Sequence, residues 1–166
     1  MFSGMRVCGD RTVMLLKDEV QMLRRVPLFA NVPPTKLKLL AFTSSRVTYG
    51  AGDVLFHQGD QGDAAYVILS GKADILADSP AGEIRIAEVE FNSIVGEISI
   101  LCDVSRTATV RAATNMEALR IRKEDFLKLL IDFPEITIEI MKVLADRLSH
   151  TTTELTEARS REQHAD

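Results

Sequence analysis

The chain has 166 residues, 46% hydrophobic and 27% charged, with a formal net charge of −4. That length suits one domain with a real core, and the acidic balance argues against a general nucleic-acid binder, which needs clustered Lys and Arg. No apolar run reaches the ~20 residues that cross a bilayer, and the first residues lack the pattern of an export signal. From the start to about residue 48 the period is helical: Val13, Leu16, Val20, Leu23, then Leu37, Leu40 and Ala41, at steps of three and four. Pro27, Pro33 and Pro34 interrupt the run, and Asn31 or Thr35 is the expected cap of the second helix.

From Val47 to Arg122 the period shortens. Short apolar or alternating runs begin at Val54, Tyr66, Ala73, Ile84, Ala108 and Ala118, and Gly, Asp, Ser and Pro clusters separate them. Many short strands with frequent turns predict a β-barrel, roll or sandwich. From Lys123 helical spacing returns, as a short helix that stops near Phe133-Pro134 and a long one to about Arg159. In the long helix Met141, Leu144, Leu148, Thr151, Leu155 and Ala158 alternate steps of three and four, the spacing of a coiled-coil seam. The fold class is therefore α+β. Residues 1–18 form a tail or helix, 19–160 a single domain and 161–166 a frayed tail. Inside the domain, 19–47 is helical, 48–122 is the β unit and 123–160 holds the C-terminal helices.

One segment, 94–110, departs from ordinary strand and turn. Gly96-Glu97 opens an apolar run too short for a free-standing helix, and Arg106-Thr107 follows closely. One helical turn there offers free backbone N–H groups to an anion. Arg106 would meet the same anion with its planar fork, and Thr107 could add a hydroxyl. Glu97 repels a phosphate but accepts a bond from a neutral hydroxyl such as a ribose 2′-OH. Each residue alone more often serves a surface ion pair of little energy. Together they suit a nucleotide.

Two motifs carry a family resemblance: Gly50 through Gly71, studded with glycines, and Gly96-Glu97-Ile98-Ser99 through Arg106-Thr107-Ala108-Thr109-Val110. The chain resembles the cyclic-nucleotide-binding domains, among them the bacterial catabolite activator protein and the regulatory subunits of protein kinase A. The resemblance extends from about Leu23 to Glu157 and implies an antiparallel, jelly-roll-like β-roll with N-terminal helices and a C-terminal helix pair. It implies Glu97 for the ribose hydroxyl, Arg106 for the cyclic phosphate, and the amides of Ile98 and Ser99 with Thr107 as further donors. Val95, Ile94 and Val89 become candidate walls, and Ser105 stands where many relatives have proline. Gly52, Gly59, Gly62 and Gly71 are assigned to tight corners of the roll rather than to ligand.

Arg147 through Thr152 resembles the stretch of the catabolite activator in which two hydroxyl residues, one from each subunit, touch adenine. Thr151 and Thr152 are therefore candidate base contacts, and Thr151 could instead set coiled-coil register. Thr107 matches a threonine that bonds guanine in some relatives. The expected ligand is cAMP, with cGMP possible, and the expected assembly is a homodimer through the last helix. No catalytic residue, metal or cofactor is expected, because His57, His150 and His164 are scattered. A metal-bearing β-roll enzyme would want paired histidines and a carboxylate. Cys8 and Cys102 form no disulfide framework, so a reduced, cytoplasmic setting is expected. A transcription regulator would need a DNA-binding helix beyond Arg159, where seven polar residues follow. A dimerisation module without ligand is disfavoured by the presence of both Glu97 and Arg106.

Overall fold

In the computed structural model, which describes residues 8–165 and side chains from Lys17, two helices precede the strands. Helix α1 spans Cys8–Arg25, a single 3-10 turn Pro27–Phe29, and α2 Pro34–Thr43. Val20 and Leu23 are buried at the expected spacing, while the side chains of Val13 and Leu16 lie outside those described. Neither Asn31 nor Thr35 caps α2. Pro33 occupies the cap position and Pro34 the first turn, where a missing N–H costs nothing and φ is already set.

Eight strands follow. They are β1 (Ser45–Tyr49), β2 (Val54–Phe56), β3 (Ala64–Ser70), β4 (Ala73–Ser79), β5 (Gly82–Val89), β6 (Ile94–Val95), β7 (Thr109–Ala112) and β8 (Met116–Arg122). They form two antiparallel four-stranded sheets, in the orders β1-β8-β3-β6 and β2-β7-β4-β5, as a β-roll. Strand β1 begins inside the segment expected to be helical. Its pairing with β8, from Ser45 opposite Arg120 to Tyr49 opposite Met116, decides the matter over weak local preference.

Strand β3 organises both cores. Ala65, Val67 and Leu69 face the helices, where they pack with Leu23, Phe29, Leu37, Phe126 and Ile136. Ala64, Tyr66 and Ile68 face the roll interior with Phe56, Val95, Val110 and Met116. The period-2 geometry of a strand thus serves two apolar layers at once, which is why β3 reads as an unbroken apolar run.

Between β6 and β7 lies α3 (Glu97–Leu101), and after β8 come α4 (Lys123–Asp132) and α5 (Pro134–Gln163). The first turns of α5 bury Ile136 and Ile140, and Val143 and Leu144 pack against the same core. From Leu148 to Ala165 every residue is exposed. Helix α5 continues to Gln163, into the segment expected to fray, because Glu, Arg and Gln are good helix formers there. The expected seam also shifts. Leu144 turns toward the core, so the outward apolar stripe is Ile138, Met141, Leu148 and Leu155, with exposed Ala145 and Thr152 completing the alternation of threes and fours.

Candidate functional site

The segment 94–110 folds into a compact cassette at the end of the roll. Gly96 stands at φ 82°, a left-handed conformation that favours glycine, and turns the chain from β6 into α3. A Cβ there would lie 2.6 Å from Arg106 Nη1 and 3.1 Å from the Ala64 carbonyl. Gly62 proves to be a cassette residue as well. Its φ is not positive, unlike those of Gly52, Gly59 and Gly71, and a Cβ at that position would run into Ser99 Oγ. Close approach to the cassette, rather than turn conformation, demands glycine at 62.

Arg106 is 3% exposed and is held from several sides. Its Nη1 donates to the Gly96 carbonyl (2.8 Å) and to Ser99 Oγ (2.9 Å), and the Ser99 hydroxyl donates to the Gly96 carbonyl (3.1 Å). Its Nη2 donates to the Ala64 carbonyl (2.7 Å) and reaches Asp63 Oδ1 at 3.4 Å. The guanidinium carbon sits 4.0 Å from the centre of the Phe56 ring. A guanidinium has five N–H donors. The fifth, on Nε, is buried and has no partner. Burial draws the Arg106 guanidinium below its ordinary pKa, against the opposing influence of Tyr66 and Asp63. The backbone around it is pinned too, since Arg106 N donates to the Asp60 carbonyl and Gly59 N to the Arg106 carbonyl.

Glu97, the first residue of α3, is 1% exposed. Arg147 of α5 reaches it with Nη1 at 3.1 Å, and its Nη2 donates to the Ile94 carbonyl at 2.7 Å. Burial raises the Glu97 carboxyl above its usual range, and the Arg147 charge and hydrogen bond pull the other way.

A cavity of about 60 Å³ joins these groups. It is lined by the expected Val95, Gly96, Glu97, Ile98, Ser99, Arg106 and Thr107, so seven of the nine sequence-predicted ligand residues meet at one place. Thr151 and Thr152 do not line it. Both are exposed on α5 beyond the roll, and Thr152 Oγ1 donates back to the Leu148 carbonyl (2.8 Å). Two expected walls also fall elsewhere. Ile94 packs in the helix-side core, because neighbours in a strand face opposite sides, and Val89 is buried in the roll without lining the cavity.

Reading the sequence missed Phe56, Ile75, Ala108 and Val110, which form the apolar wall, and Arg147. Ala108, just before β7, and Val110 within it alternate with Thr109, a signal for a shared face. Arg147 opens the stretch that resembles the catabolite activator, but its partners lie 50 and 53 residues away, so its place in the site was not read.

The family profile of the cyclic nucleotide-binding domain matches residues 46–132, from β1 to the end of α4. The chain belongs to the cyclic nucleotide-binding domain family. The catabolite activator protein of Thermus thermophilus is 30% identical and superposes with a TM-score of 0.68, over 80% of this chain and 63% of that one. The N-terminal domain of a transcriptional regulator from Streptomyces coelicolor is 38% identical, with a TM-score of 0.58 over 78% of this chain and 94% of that one. The lysophospholipase NTE1 of Coccidioides immitis is 30% identical over 130 residues, 78% of this chain. This chain spans 8% of that relative's length. Among the described residues no helix is long and apolar enough to cross a membrane, and no group of side chains is placed to hold a metal ion.

The raised Glu97 pKa gives a pH signature with a definite sign. The folded chain holds this proton more tightly than the unfolded chain does. Its contribution to stability is therefore full below the ordinary carboxylate value of 4.5 and is lost as pH rises through the higher folded value. Melting temperatures of the wild type and Glu97→Gln across pH 4 to 7 should show the wild type losing ground as pH rises. A constant difference would contradict the buried, destabilised carboxylate.

Proposed function

We propose that this domain is a second-messenger sensor that binds a 3′,5′-cyclic nucleotide in the cassette cavity, with cAMP preferred and cGMP accepted. The observation that carries this reading is the unpaired Nε–H of Arg106, buried at a cavity that also holds Glu97. A buried donor without a partner costs about 1–3 kcal/mol, and an anion bonded there recovers it. The phosphate of a cyclic nucleotide is such an anion, and its ribose 2′-hydroxyl is a neutral donor for Glu97. The apolar wall of Phe56, Ile75, Ala108 and Val110 suits the faces of sugar and base. Thr107, exposed at the rim, is the group within one chain best placed to favour guanine. Its single neutral bond is worth only about 0.5–1.5 kcal/mol, so the preference between bases stays modest.

The domain acts by binding, inside the cell, and not by catalysis. Its relatives include much longer chains, so it is read as a regulatory unit whose effector the cavity does not name. Nucleic acid and membranes are not its direct partners. A second copy is. Ile138, Met141, Leu148 and Leu155 form an exposed apolar stripe with coiled-coil spacing along α5, and Leu148 alone is 69% exposed. In a dimer through this stripe, Thr151 and Thr152 would contact the base, one from each copy, a reading supported by the resemblance to the catabolite activator.

Two experiments follow from these assignments. Arg106→Ala and Glu97→Ala should each weaken cAMP binding by about 2–5 kcal/mol in calorimetric titrations, or roughly 30- to 4,000-fold, with the fold retained. Unchanged affinity in both variants rejects the cassette as the site. Leu148→Glu should convert a dimer to monomers in sedimentation velocity at micromolar concentration. A wild type that sediments as a monomer with and without cAMP rejects the dimer.

A further inference from the structure

Strand β5 is outermost in the sheet β2-β7-β4-β5, so among the described residues one of its edges pairs with no other strand. Such an edge presents a row of N–H and C=O groups that can recruit a further strand, and proteins blunt it with shortness, lysine or proline. The edge strands β2 and β6 are short, at three and two residues, and the exposed residues of β1 are the polar Ser45, Arg46 and Thr48. Strand β5 is different. It runs for eight residues, Gly82–Val89, with neither lysine nor proline, and six of the eight are exposed. Its two isoleucines stand in water, Ile84 48% and Ile86 50% exposed.

The ladder with β4 fixes which backbone groups are free. Ser79 lies opposite Gly82 across a two-residue turn, and the pair that closes such a turn is of the hydrogen-bonded kind. Pairs then alternate, so Ile84 bonds inward to Ala77 while the N–H and C=O of Glu83 and Arg85 point to the free edge. Past Arg85 the register shifts and the regular edge ends. An antiparallel newcomer must therefore meet Glu83 and Arg85. For a second β5 related by a two-fold axis, three registers bring outward groups face to face. One sets Glu83 against its own copy and another sets Arg85 against its own copy, and like charges directly opposite are destabilising. The third sets Glu83 opposite Arg85 twice over, with Ile84 on the axis against its own copy. Only this register matches charge, and it uses the exposed stretch from Gly82 to Ile86.

We infer that β5 is a self-complementary edge that pairs in this third register with β5 of a second copy, joining two four-stranded sheets into one of eight. Backbone bonds at Glu83 and Arg85 hold the pair, the opposite charges set its register, and the two isoleucines lose contact with water. Within their own sheet Glu83 touches Arg111 and Arg85 touches Asp74 and Glu88, all as exposed pairs, so the new contacts extend a network. A ladder of five residues falls short of the area of stable complexes, so the contact is weak. It is distinct from the α5 stripe and does not rest on the nucleotide reading.

The test uses the whole 166-residue chain carrying Leu148→Glu, so that the α5 stripe does not contribute, at about 0.5 mM, where weak association registers. Under mild oxidation Ile84→Cys should be captured as a disulfide-linked dimer, since residues on the axis lie about 4.5 Å apart at Cα, within disulfide reach. Ile86→Cys stands four residues along the ladder from its own copy, about 13 Å, and should crosslink no more than the parent with its natural Cys8 and Cys102. Both positions are about half exposed, so the fold tolerates either change. Sedimentation equilibrium reads the charges. Glu83→Arg and Arg85→Glu should each weaken self-association about tenfold, whereas an equal mixture of the two should associate as tightly as the parent, because opposite charges again face each other. A parent that stays monomeric, no excess of crosslinking at 84 over 86, or a mixture no tighter than either variant alone overturns the β5 pairing.

Discussion

Arg106 carries a permanent charge to a place where 3% of its surface reaches water. Taking an ion out of water costs several kcal/mol, repaid only if its donors and its charge are met. Three local devices meet them here. Gly96, in the left-handed region, turns its carbonyl onto Nη1, and Gly62 leaves space for the Ser99 hydroxyl that holds the same nitrogen. The start of β3 offers the Ala64 carbonyl to Nη2, with Asp63 next to it supplying charge from the solvent side. The glycine-rich loop, α3 and the edge of β3 are thus placed by one guanidinium. What they leave unmet is a single buried N–H, on Nε.

The buried charges are of opposite sign and face one cavity, which explains why neither is matched with the other. Glu97 and Arg106 both line it, yet each finds its charged partner elsewhere: Glu97 on α5, Arg106 on the β2–β3 loop. A direct pair would neutralise both and leave nothing for a ligand. Separated, they suit the proposed ligand, which carries an anion and a neutral hydroxyl a few bonds apart. The surface ion pairs of the roll, such as Arg111 with Glu83 and Lys72 with Glu88, are exposed and contribute little by comparison.

Much of this is legible in the sequence. The strand runs, the two flanking helical zones and the cassette from Gly96 to Thr107 stand out in the sequence, because period and turn chemistry are local properties. What was hidden depends on distance along the chain. Strand β1 exists because β8, far along the chain, pairs with it, Arg46 opposite Leu119, and the Arg46 side chain bonds Glu117 across the pair. The seam on α5 shifted because Leu144 has a core to face, a fact absent from the heptad pattern itself. Arg147 opens the stretch marked by resemblance but was not assigned to the site, whereas Thr151 and Thr152, which were, lie outside the cavity of their own chain.

The central claim is that the cassette cavity is built for a cyclic phosphate joined to a ribose. Thermal unfolding of the purified chain with saturating cAMP, cGMP, 5′-AMP or adenosine tests it most directly, because a ligand bound only to the native state raises the melting temperature by mass action. At a hundredfold excess over the dissociation constant the gain is about 2.7 kcal/mol, several degrees for a domain of this size. The account predicts a clear rise with cAMP, a smaller one with cGMP and none with adenosine, which lacks the anion. An equal rise with adenosine, or no rise with either cyclic nucleotide, would contradict it.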